Sequence, residues 1–419
     1  MPNKTPLHTH SADLFPYPNQ DGHLLIAGKG IAELINIAGQ TPTYIYDRQQ
    51  ISQTINSLLD RLPAQVQLHY ALKANPMPAV VQHIANYVSG LDIASHGELL
   101  IALNSGVLAE NISFAGPGKT EQELVAAISS GVCLNVESEN ELKHIDQLGK
   151  HFNTLPTIAL RVNPDFELKA SGMKMSGGAK QFGIDAEKIP SIIQSLAQYQ
   201  LNFAGLHIFC GSQNLNSDAI IEAHKQTFAL AAQLLHGIDD YQSINIGGGF
   251  GIPYFAGDKA LNVGAITHNL HQLLKQYPQF QQKKIIIELG RYLVGDAGIY
   301  ISQVIDKKES RGKTYLVCDG GLHHHLPNSG NFGQVIRKNY PVHISKKQAN
   351  KTRLHEETEI EYVTIVGPSC TPLDTLAENM LLTKADVGDY VVILQSGAYG
   401  RTASPENFLG HPHVKEMLI

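Results

Sequence analysis

Short segments rich in branched apolar residues recur between residues 68 and 289, each followed by a longer segment whose apolar residues have helical spacing. The first pattern predicts buried β-strands and the second predicts amphipathic helices. Eight strands are predicted, at Leu68–Ala74, Leu91–Ser95, Ile112–Ala115, Cys133–Glu137, Ile158–Asn163, Ala204–Phe209, Ile244–Ile246 and Lys284–Leu289. The predicted helices are Gln49–Leu59, Ala79–Tyr87, Glu98–Asn104, Glu121–Ser129, Glu139–Leu148, Ile189–Gln198, Ala219–Leu235 and Ile266–Tyr277.

Alternating strands and helices indicate a parallel sheet, and eight repeats indicate closure into a (β/α)8 TIM barrel. An open, doubly wound sheet is the alternative. After about Ala297, strand patterns continue without helical spacers, at Tyr300–Ile305, Thr314–Cys318, Tyr362–Val366 and Tyr390–Leu394. We therefore expect a barrel at 46–296 and a mostly antiparallel C-terminal β domain at 297–419. Residues 1–45 are expected to pair with that β domain.

Composition is that of an ordinary folded protein: 419 residues, 43% hydrophobic and 17% charged. The net charge of -6 gives no basic face, so a nucleic-acid partner is not expected. The four cysteines are too few for a disulfide scaffold. With no apolar leader and no run of 18 apolar residues, we expect a cytoplasmic protein without membrane contact.

Polar residues and glycines gather where the predicted strands end, which is where barrel enzymes carry their chemistry. These residues are Lys73, Asp92, Glu98, Arg161, Gly211–Gln213, Gly247–Gly251, Glu288, Gly290 and Arg291. Glycines let backbone N–H groups approach a phosphate closely, and Ser212 and Arg291 add a hydroxyl and a fixed cation. A tight barrel turn explains the glycine run equally well by itself, but the combination predicts a site for a phosphorylated ligand.

Two charged side chains stand in apolar strands. An unpaired ammonium would be costly at Lys73, yet a desolvated lysine beside a phosphate site suits imine formation. The alternative is that Lys73 reaches solvent. Glu288 either forms a salt bridge or keeps a proton on a heteroaromatic nitrogen.

Seven segments, in order from Tyr70 to Gly400, resemble the fold-type III pyridoxal 5'-phosphate (PLP) decarboxylases. They are YALKANP, DIASHGE, GSQ, INIGGGFG, ELGRYLVG, GPSCTPLD and SGAYG. That family includes diaminopimelate, ornithine and arginine decarboxylases. The resemblance implies an alanine-racemase-like barrel with a C-terminal β domain, α-decarboxylation of an L-amino acid, and a homodimer whose subunits share the active sites.

Carried over residue by residue, the resemblance implies that Lys73 forms the imine with PLP. It also implies that Glu288 keeps the pyridine nitrogen of PLP protonated. The implied cofactor-binding residues are Lys73, Asp92, Arg161, Phe209, Ser212, Gly248, Gly249, Glu288, Gly290, Arg291 and Tyr399. Cys370 corresponds to a cysteine that the partner subunit presents, and this thiol or a water would reprotonate Cα. Glu98 matches a further polar position near the lysine.

Three departures from the family bear on the substrate. Phe209 stands where the usual members stack a histidine on the pyridine ring, with His207 two positions earlier. Thr371 replaces the acidic residue that normally follows the cysteine and grips a distal ammonium; the first carboxylate after it is Asp374. The Arg-Pro-x-Leu-Tyr segment of diaminopimelate decarboxylases is absent, and His323–His325 stand in its region.

With GPSCTPLD and NFLGHP, these departures look most like a biosynthetic-cluster branch of the family. That branch includes exosortase-associated decarboxylases and those acting on glutamate tethered to an acyl carrier protein. The predicted substrate-binding residues are Arg291, Arg337, Thr371, Asp374 and Tyr399. Arg337 and Lys338 would face an acidic substrate or the carrier's phosphopantetheine, or else form a solvated turn.

We expect His323–His325 to line the substrate entrance and no metal to be bound. Three alternatives stay open for the activity: a diaminopimelate decarboxylase acting on the free amino acid, an amino-acid racemase, and a catalytically inactive homologue.

Overall fold

The computed structural model describes residues 17, 19–20, 23–169, 172–255, 257–332, 334, 337–347 and 359–419. Much of the predicted N-terminal segment, residues 1–16, 18 and 21–22, lies outside these residues. The chain divides into two compact units. The barrel unit contains Ser52–Ile252 and Lys259–Leu293, and the β unit contains Met1–Ile51, Pro253–Asp258 and Val294–Ile419.

Eight parallel strands form the barrel unit. They are β1 (Val66–Ala71), β2 (Gly90–Ile93), β3 (Ile112–Phe114), β4 (Cys133–Val136), β5 (Thr157–Asn163), β6 (Asn202–His207), β7 (Ser243–Gly248) and β8 (Lys284–Leu289). Each strand pairs with the next, and β8 pairs with β1, so the sheet closes. The predicted (β/α)8 barrel is confirmed, and the open sheet is excluded.

Helices alternate with these strands, and capping residues start several of them. The helices of the chain are Ile31–Ala38, Arg48–Leu59, Pro78–Ile84, His96–Leu103, Glu121–Ser130, Glu139–Phe152, Ile189–Ser195, Ser217–Leu234, Val263–Gln276 and Arg291–Val294. Side chains of Ser95, Thr120 and Ser138 accept hydrogen bonds from backbone N–H groups in the first helical turn. No helix in the described part of the chain is long and apolar enough to cross a membrane.

The strands of the barrel carry buried polar side chains at intervals among the apolar ones. His69, Asp92, Ser113, Asn135, Arg161, His207, Asn245 and Glu288 are all buried. Alternate residues of a barrel strand face the interior, while the others pack under the surrounding helices. The interior of this barrel therefore contains hydrogen-bonding groups, which sets up the site described below.

The β unit is a mostly antiparallel sheet, as predicted. Its main strands are Thr43–Tyr46, Gly298–Ser310, Lys313–Cys318, Val342–Ser345, Ile360–Val366, Thr375–Thr383, Tyr390–Ile393 and Lys415–Leu418, with short strands at Asn19–Gln20, His23–Ile26 and Lys29–Gly30. The long strand Gly298–Ser310 pairs antiparallel with Thr43–Tyr46, Lys313–Cys318 and Tyr390–Ile393. Two pairings are parallel: Lys313–Cys318 with Ile360–Val366, and Thr43–Tyr46 with Lys415–Leu418.

The core of the β unit joins early and late parts of the chain. Ile26, Leu34 and Ile45 pack with Ile299 and Val392 in one buried cluster. Pro253–Asp258 also belongs to this unit, although it lies inside the range predicted for the barrel. A hydrogen bond connects this segment to the β unit, because Gln395 Nε2 donates to the Pro253 carbonyl over 2.6 Å.

Candidate active site

Lys73 lies directly after β1, in the 3-10 turn Leu72–Ala74. The predicted strand is therefore too long at this end, because the chain turns where the Tyr70 hydroxyl donates to the Asn75 carbonyl. The Lys73 side chain is exposed, so the expectation that its ammonium is desolvated is wrong. Its Nζ lies 5.3 Å from the ring centroid of Phe209. The arrangement offers a solvent-accessible amine at the C-terminal end of the barrel.

Glu288 is a buried acid on β8 with two partners inside the barrel. Its Oε1 accepts a hydrogen bond from Asn245 Nδ2 over 2.5 Å and lies 3.2 Å from His207 Nε2. Burial alone would raise the pKa of Glu288, but His207, Lys73 and Asn245 together hold that pKa below its usual range. The carboxylate is thus kept ionised although it is buried.

Asp92 is a second buried acid in the same interior, on β2. Ser113 Oγ donates a short hydrogen bond to its Oδ1, and His69 Nδ1 lies 3.5 Å from the same oxygen. Burial and the negative charge of Glu288 raise the pKa of Asp92, while His69 and Ser113 oppose the rise. Two nearby acids therefore have pKa values shifted in opposite directions, which is common where acid–base chemistry is performed.

The glycine run after β7 packs too closely for side chains. A Cβ on Gly248 would lie 2.0 Å from the Glu288 carbonyl oxygen, and one on Gly249 would lie 2.4 Å from the Gly211 carbonyl oxygen. Gly249 also has a φ of +84°. Asn214 N donates to the Gly249 carbonyl, which ties the loop after β6 to the glycine run.

Ser212 and Arg291 follow β6 and β8, the two strands that flank β7. Ser212 is half-buried in the short strand Gly211–Ser212, and Arg291 is the first residue of the helix after β8. Since the C-terminal ends of neighbouring parallel strands lie together, these residues and the glycine run share one end of the barrel. Gly290 is equally crowded, because a Cβ there would lie 2.8 Å from Ala74 Cβ.

Arg161 and Glu98 occupy supporting positions. Arg161 Nη1 donates to Glu137 Oε1 over 2.7 Å, and Glu137 also accepts from the backbone N–H groups of Gly116 and Gly183. This buried pair links the loops that follow β3, β4 and β5. Glu98 Oε2 accepts from Ala94 N over 2.7 Å, and burial raises the pKa of Glu98. A direct contact of Arg161 with a cofactor stays a prediction.

Cys370 is an exposed thiol in the β unit, on a loop that runs from Gly367 to Thr375 and is called the Cys370 loop below. Asp374 is buried, and its carboxylate accepts hydrogen bonds from the backbone N–H groups of Leu322 and Ser369, over 2.6 and 2.9 Å. Asp374 was expected to bind substrate; both of its oxygens instead hold this loop in place. Thr371 is half-buried beside Cys370.

His323–His325 are buried in the β unit rather than lining an entrance, so that expectation is wrong. His323 Nδ1 lies 3.2 Å from Ser369 Oγ, and His325 Nε2 lies 2.9 Å from Ser396 Oγ. Burial lowers the pKa of both His323 and His325 to about 3. In the described residues, no group of three or more potential ligands is arranged to hold a metal ion.

The two remaining predicted residues, Arg337 and Tyr399, also lie in the β unit. Arg337 is half-buried and its Nη2 donates to the Thr375 carbonyl, at the end of the Cys370 loop. Tyr399 is half-buried with a φ of +55°, in a segment where a Cβ on the following Gly400 would lie 2.8 Å from the Tyr44 ring.

Sequence reasoning missed several polar residues of the barrel interior. His69, Asn245 and Glu137 were treated only as parts of predicted strands, and His207 was noted without its contact to Glu288. A signal was present, because a polar residue inside an apolar barrel strand must find a hydrogen-bonding partner when it faces inward.

Comparisons with known proteins identify the family of this chain. The family described as pyridoxal-dependent decarboxylase, pyridoxal binding domain, matches residues 48–295. The L-glutamyl-[BtrI acyl-carrier protein] decarboxylase of Niallia circulans is 38% identical over 385 residues, covering 90% of this chain and 89% of that protein. The diaminopimelate decarboxylase of Aquifex aeolicus is 32% identical over 408 residues, covering 96% and 91%.

A solved structure with the same fold is the diaminopimelate decarboxylase of M. jannaschii. It matches with a TM-score of 0.84 at 27% identity, covering 96% of this chain and 92% of that chain. This chain belongs to the family of pyridoxal-dependent decarboxylases, as the sequence segments indicated. Its activity is that of a carboxy-lyase that depends on PLP.

The described residues fit PLP by their chemistry. An exposed primary amine at Lys73 suits an aldehyde, and an ionised buried carboxylate at Glu288 suits a protonated ring nitrogen. The glycine run carries no side chains of its own, so its backbone can come close to a phosphate at the end of the barrel where Ser212 and Arg291 also lie.

Proposed function

We propose that the chain removes the α-carboxyl group of an L-glutamyl group carried as a thioester on an acyl carrier protein. The observation that carries this proposal is the Cys370 loop. Its one carboxylate, that of Asp374, accepts hydrogen bonds from two backbone N–H groups. The residue that follows the cysteine is the uncharged Thr371. The loop therefore offers no free carboxylate to a distal ammonium, whereas an uncharged thioester needs none. The 38% identity to a relative with that printed substrate also supports the proposal.

Some residues of the barrel would bind the cofactor, and others would control the charge on its ring. PLP, when bound, supplies an electron sink for the pair released from the bond between Cα and its carboxylate. Lys73 would hold the cofactor through its amine, and Ser212, Gly249 and Arg291 would hold the phosphate. Glu288 remains ionised beside His207 and Asn245, so its charge would keep a proton on the pyridine nitrogen of the bound cofactor.

Cys370 completes the chemistry from a second subunit. We propose a homodimer in which the partner subunit's Cys370 delivers a proton to Cα after the carboxylate has left. Two features support this assignment: the thiol is exposed, and Asp374 fixes the loop that carries it. The uncharged ring of Phe209 would pack against the cofactor without adding a charge to it. We place the reaction in the cytoplasm.

The second candidate function is decarboxylation of free diaminopimelate. It is favoured by the 32% identity to a diaminopimelate decarboxylase over 96% of this chain. Carbon dioxide release should be measured with the PLP-loaded protein on free L-amino acids and on aminoacyl carrier proteins. We expect turnover of the glutamyl carrier protein; turnover of free diaminopimelate alone would support the second candidate.

A further inference from the structure

A groove of about 670 Å³ crosses one face of the β unit and reaches the Cys370 loop. Its floor is formed by neighbouring strands, with Tyr315, Val317, Thr364 and Val366 on the lining face. Ser369 and Thr371 line the end at the Cys370 loop. Every residue of this lining belongs to the β unit. The groove therefore lies within one unit, and the neighbours of Cys370 on both sides, Ser369 and Thr371, line it.

The strand register gives this groove a direction and a length. Lys313 and Val317 lie four residues apart on one strand, so at about 3.3 Å per residue they are about 13 Å apart. Val317 pairs with Val366, the last strand residue before the Cys370 loop. Lys308 pairs with Tyr315 on the adjoining strand. Lys313 thus lies at the end of the groove away from the Cys370 loop, Lys308 lies nearer the middle, opposite Tyr315, and Arg337 lies beside the loop, where it donates to the Thr375 carbonyl.

The basic side chains of the groove form no close ion pairs within the described part of the chain, although Glu378 acts on Arg337 electrostatically. Among the described residues, none of Lys308, Lys313 and Arg337 forms an ion pair within 4 Å, although Glu378 also lines the groove. Arg337 is half-buried, and within the described part of the chain its Nε has no hydrogen-bond partner. A half-buried guanidinium with an unused N–H group is suited to an oxygen acceptor that the groove receives from outside.

We propose that this groove binds the phosphopantetheine arm of the carrier protein, with its phosphate at Lys308 and Lys313 and its thioester end at the Cys370 loop. The proposal rests on the function proposed above and names the part of the substrate that is recognised. The arm is a flexible chain with an anion at one end, amide groups along it and the thioester at the other. Those features match two lysines, a floor of Tyr315, Val317, Thr364 and Val366 with the unused N–H group of Arg337 beside it, and the Cys370 loop.

The direct test measures binding without turnover. Calorimetry with PLP-loaded, full-length protein should compare free phosphopantetheine with pantetheine, which lacks the phosphate. We expect the phosphorylated arm to bind about tenfold more tightly, and the double variant Lys308→Gln/Lys313→Gln to erase this preference, since the gain comes from charge-assisted contacts. Both lysines are exposed, so the variant should fold normally. Lys143→Gln, an exposed lysine on a barrel helix, is the matched control.

Turnover of glutamyl carrier protein separates this proposal from the one on which it rests. We expect the double variant to raise KM several-fold with little change in kcat. If the wild-type protein turns over the carrier substrate and the variant has the same KM and the same binding preference, the groove assignment is wrong and the proposed function stands. A raised KM without any loss of phosphate preference would also overturn it, because the lysines would then contact the carrier's own surface.

Discussion

Single residues of the barrel interior set the charge of the site. Glu288 and Asp92 are both buried, yet His207 and Asn245 stabilise the charge on Glu288, whereas burial and that charge raise the pKa of Asp92. Removal of either partner of Glu288 would leave a buried charge with less compensation. If Glu288 pairs with the cofactor ring as proposed, His207 and Asn245 would help to set the protonation state of that ring through Glu288.

We assign the covalent bond to PLP to Lys73. Reduction of the PLP-loaded protein with borohydride should fix the cofactor to the peptide that contains Lys73, because its exposed amine stands at the barrel end beside Phe209. Lys73→Ala should give no labelled peptide in mass spectrometry. Lys119→Ala, at a lysine already paired with Glu141, is a control that should keep the label. A label that persists in Lys73→Ala would refute the assignment.

His325 gives the β unit a dependence on pH. Burial lowers its pKa to about 3 in the folded protein, while in the unfolded chain it lies near 6.5. The unfolded state therefore binds the extra proton first, and stability falls as pH drops below about 6.5. Between pH 6.5 and 4.5, His325 should cost about 2 to 3 kcal/mol of the free energy of unfolding.

Urea unfolding of wild type and His325→Asn at these two pH values measures that difference. The variant should be less stable at pH 6.5 but should lose less stability on acidification. Equal losses in wild type and His325→Asn would contradict the argument.

At the scale of elements, the buried Asp374 side chain ties the Cys370 loop to another part of the β unit. Asp374 accepts backbone hydrogen bonds from Leu322 and Ser369, so it joins this loop to the turn that precedes His323. Such a connection positions an exposed thiol without using the thiol itself.

Asp374→Asn should loosen this loop. An amide provides one acceptor oxygen where the carboxylate provides two, so a buried N–H group loses its partner at a cost of about 1 to 3 kcal/mol. We expect lower kcat with unchanged PLP binding, measured by turnover and by cofactor titration. Asp386→Asn, at an exposed surface ion pair with Lys346, is the control. An unchanged kcat for Asp374→Asn would show that the loop needs no such support.

Element types were predictable from the sequence, whereas the ends of elements and tertiary partners were not. Apolar spacing identified all eight barrel strands, but the turn that exposes Lys73 depends on the hydrogen bond between Tyr70 and Asn75. One of the two backbone N–H groups that donate to Asp374 belongs to Leu322, which is far away in the chain. The burial of His323–His325 likewise depends on Ser369 and Ser396, which no local pattern connects to them.

At the scale of the whole molecule, the proposed function requires two subunits for each site. Lys73→Ala and Cys370→Ala proteins should each be nearly inactive, the latter by about 10² to 10⁴-fold, as is typical when a proton donor is lost. Equal mixing after dissociation and reassociation gives half heterodimers, each with one intact site of two. About a quarter of wild-type activity should therefore return if sites are shared in a two-fold dimer. Recovery of none would place both residues in one subunit's site.

The most direct test of the central claim is a single-turnover experiment with glutamyl carrier protein labelled with ¹³C at the α-carboxyl carbon. The account predicts labelled carbon dioxide and a carrier-bound product lighter by one carboxyl group, with the thioester intact. Free labelled glutamate should release far less carbon dioxide at the same concentration. Label that stays on the carrier while free diaminopimelate is decarboxylated would contradict the account.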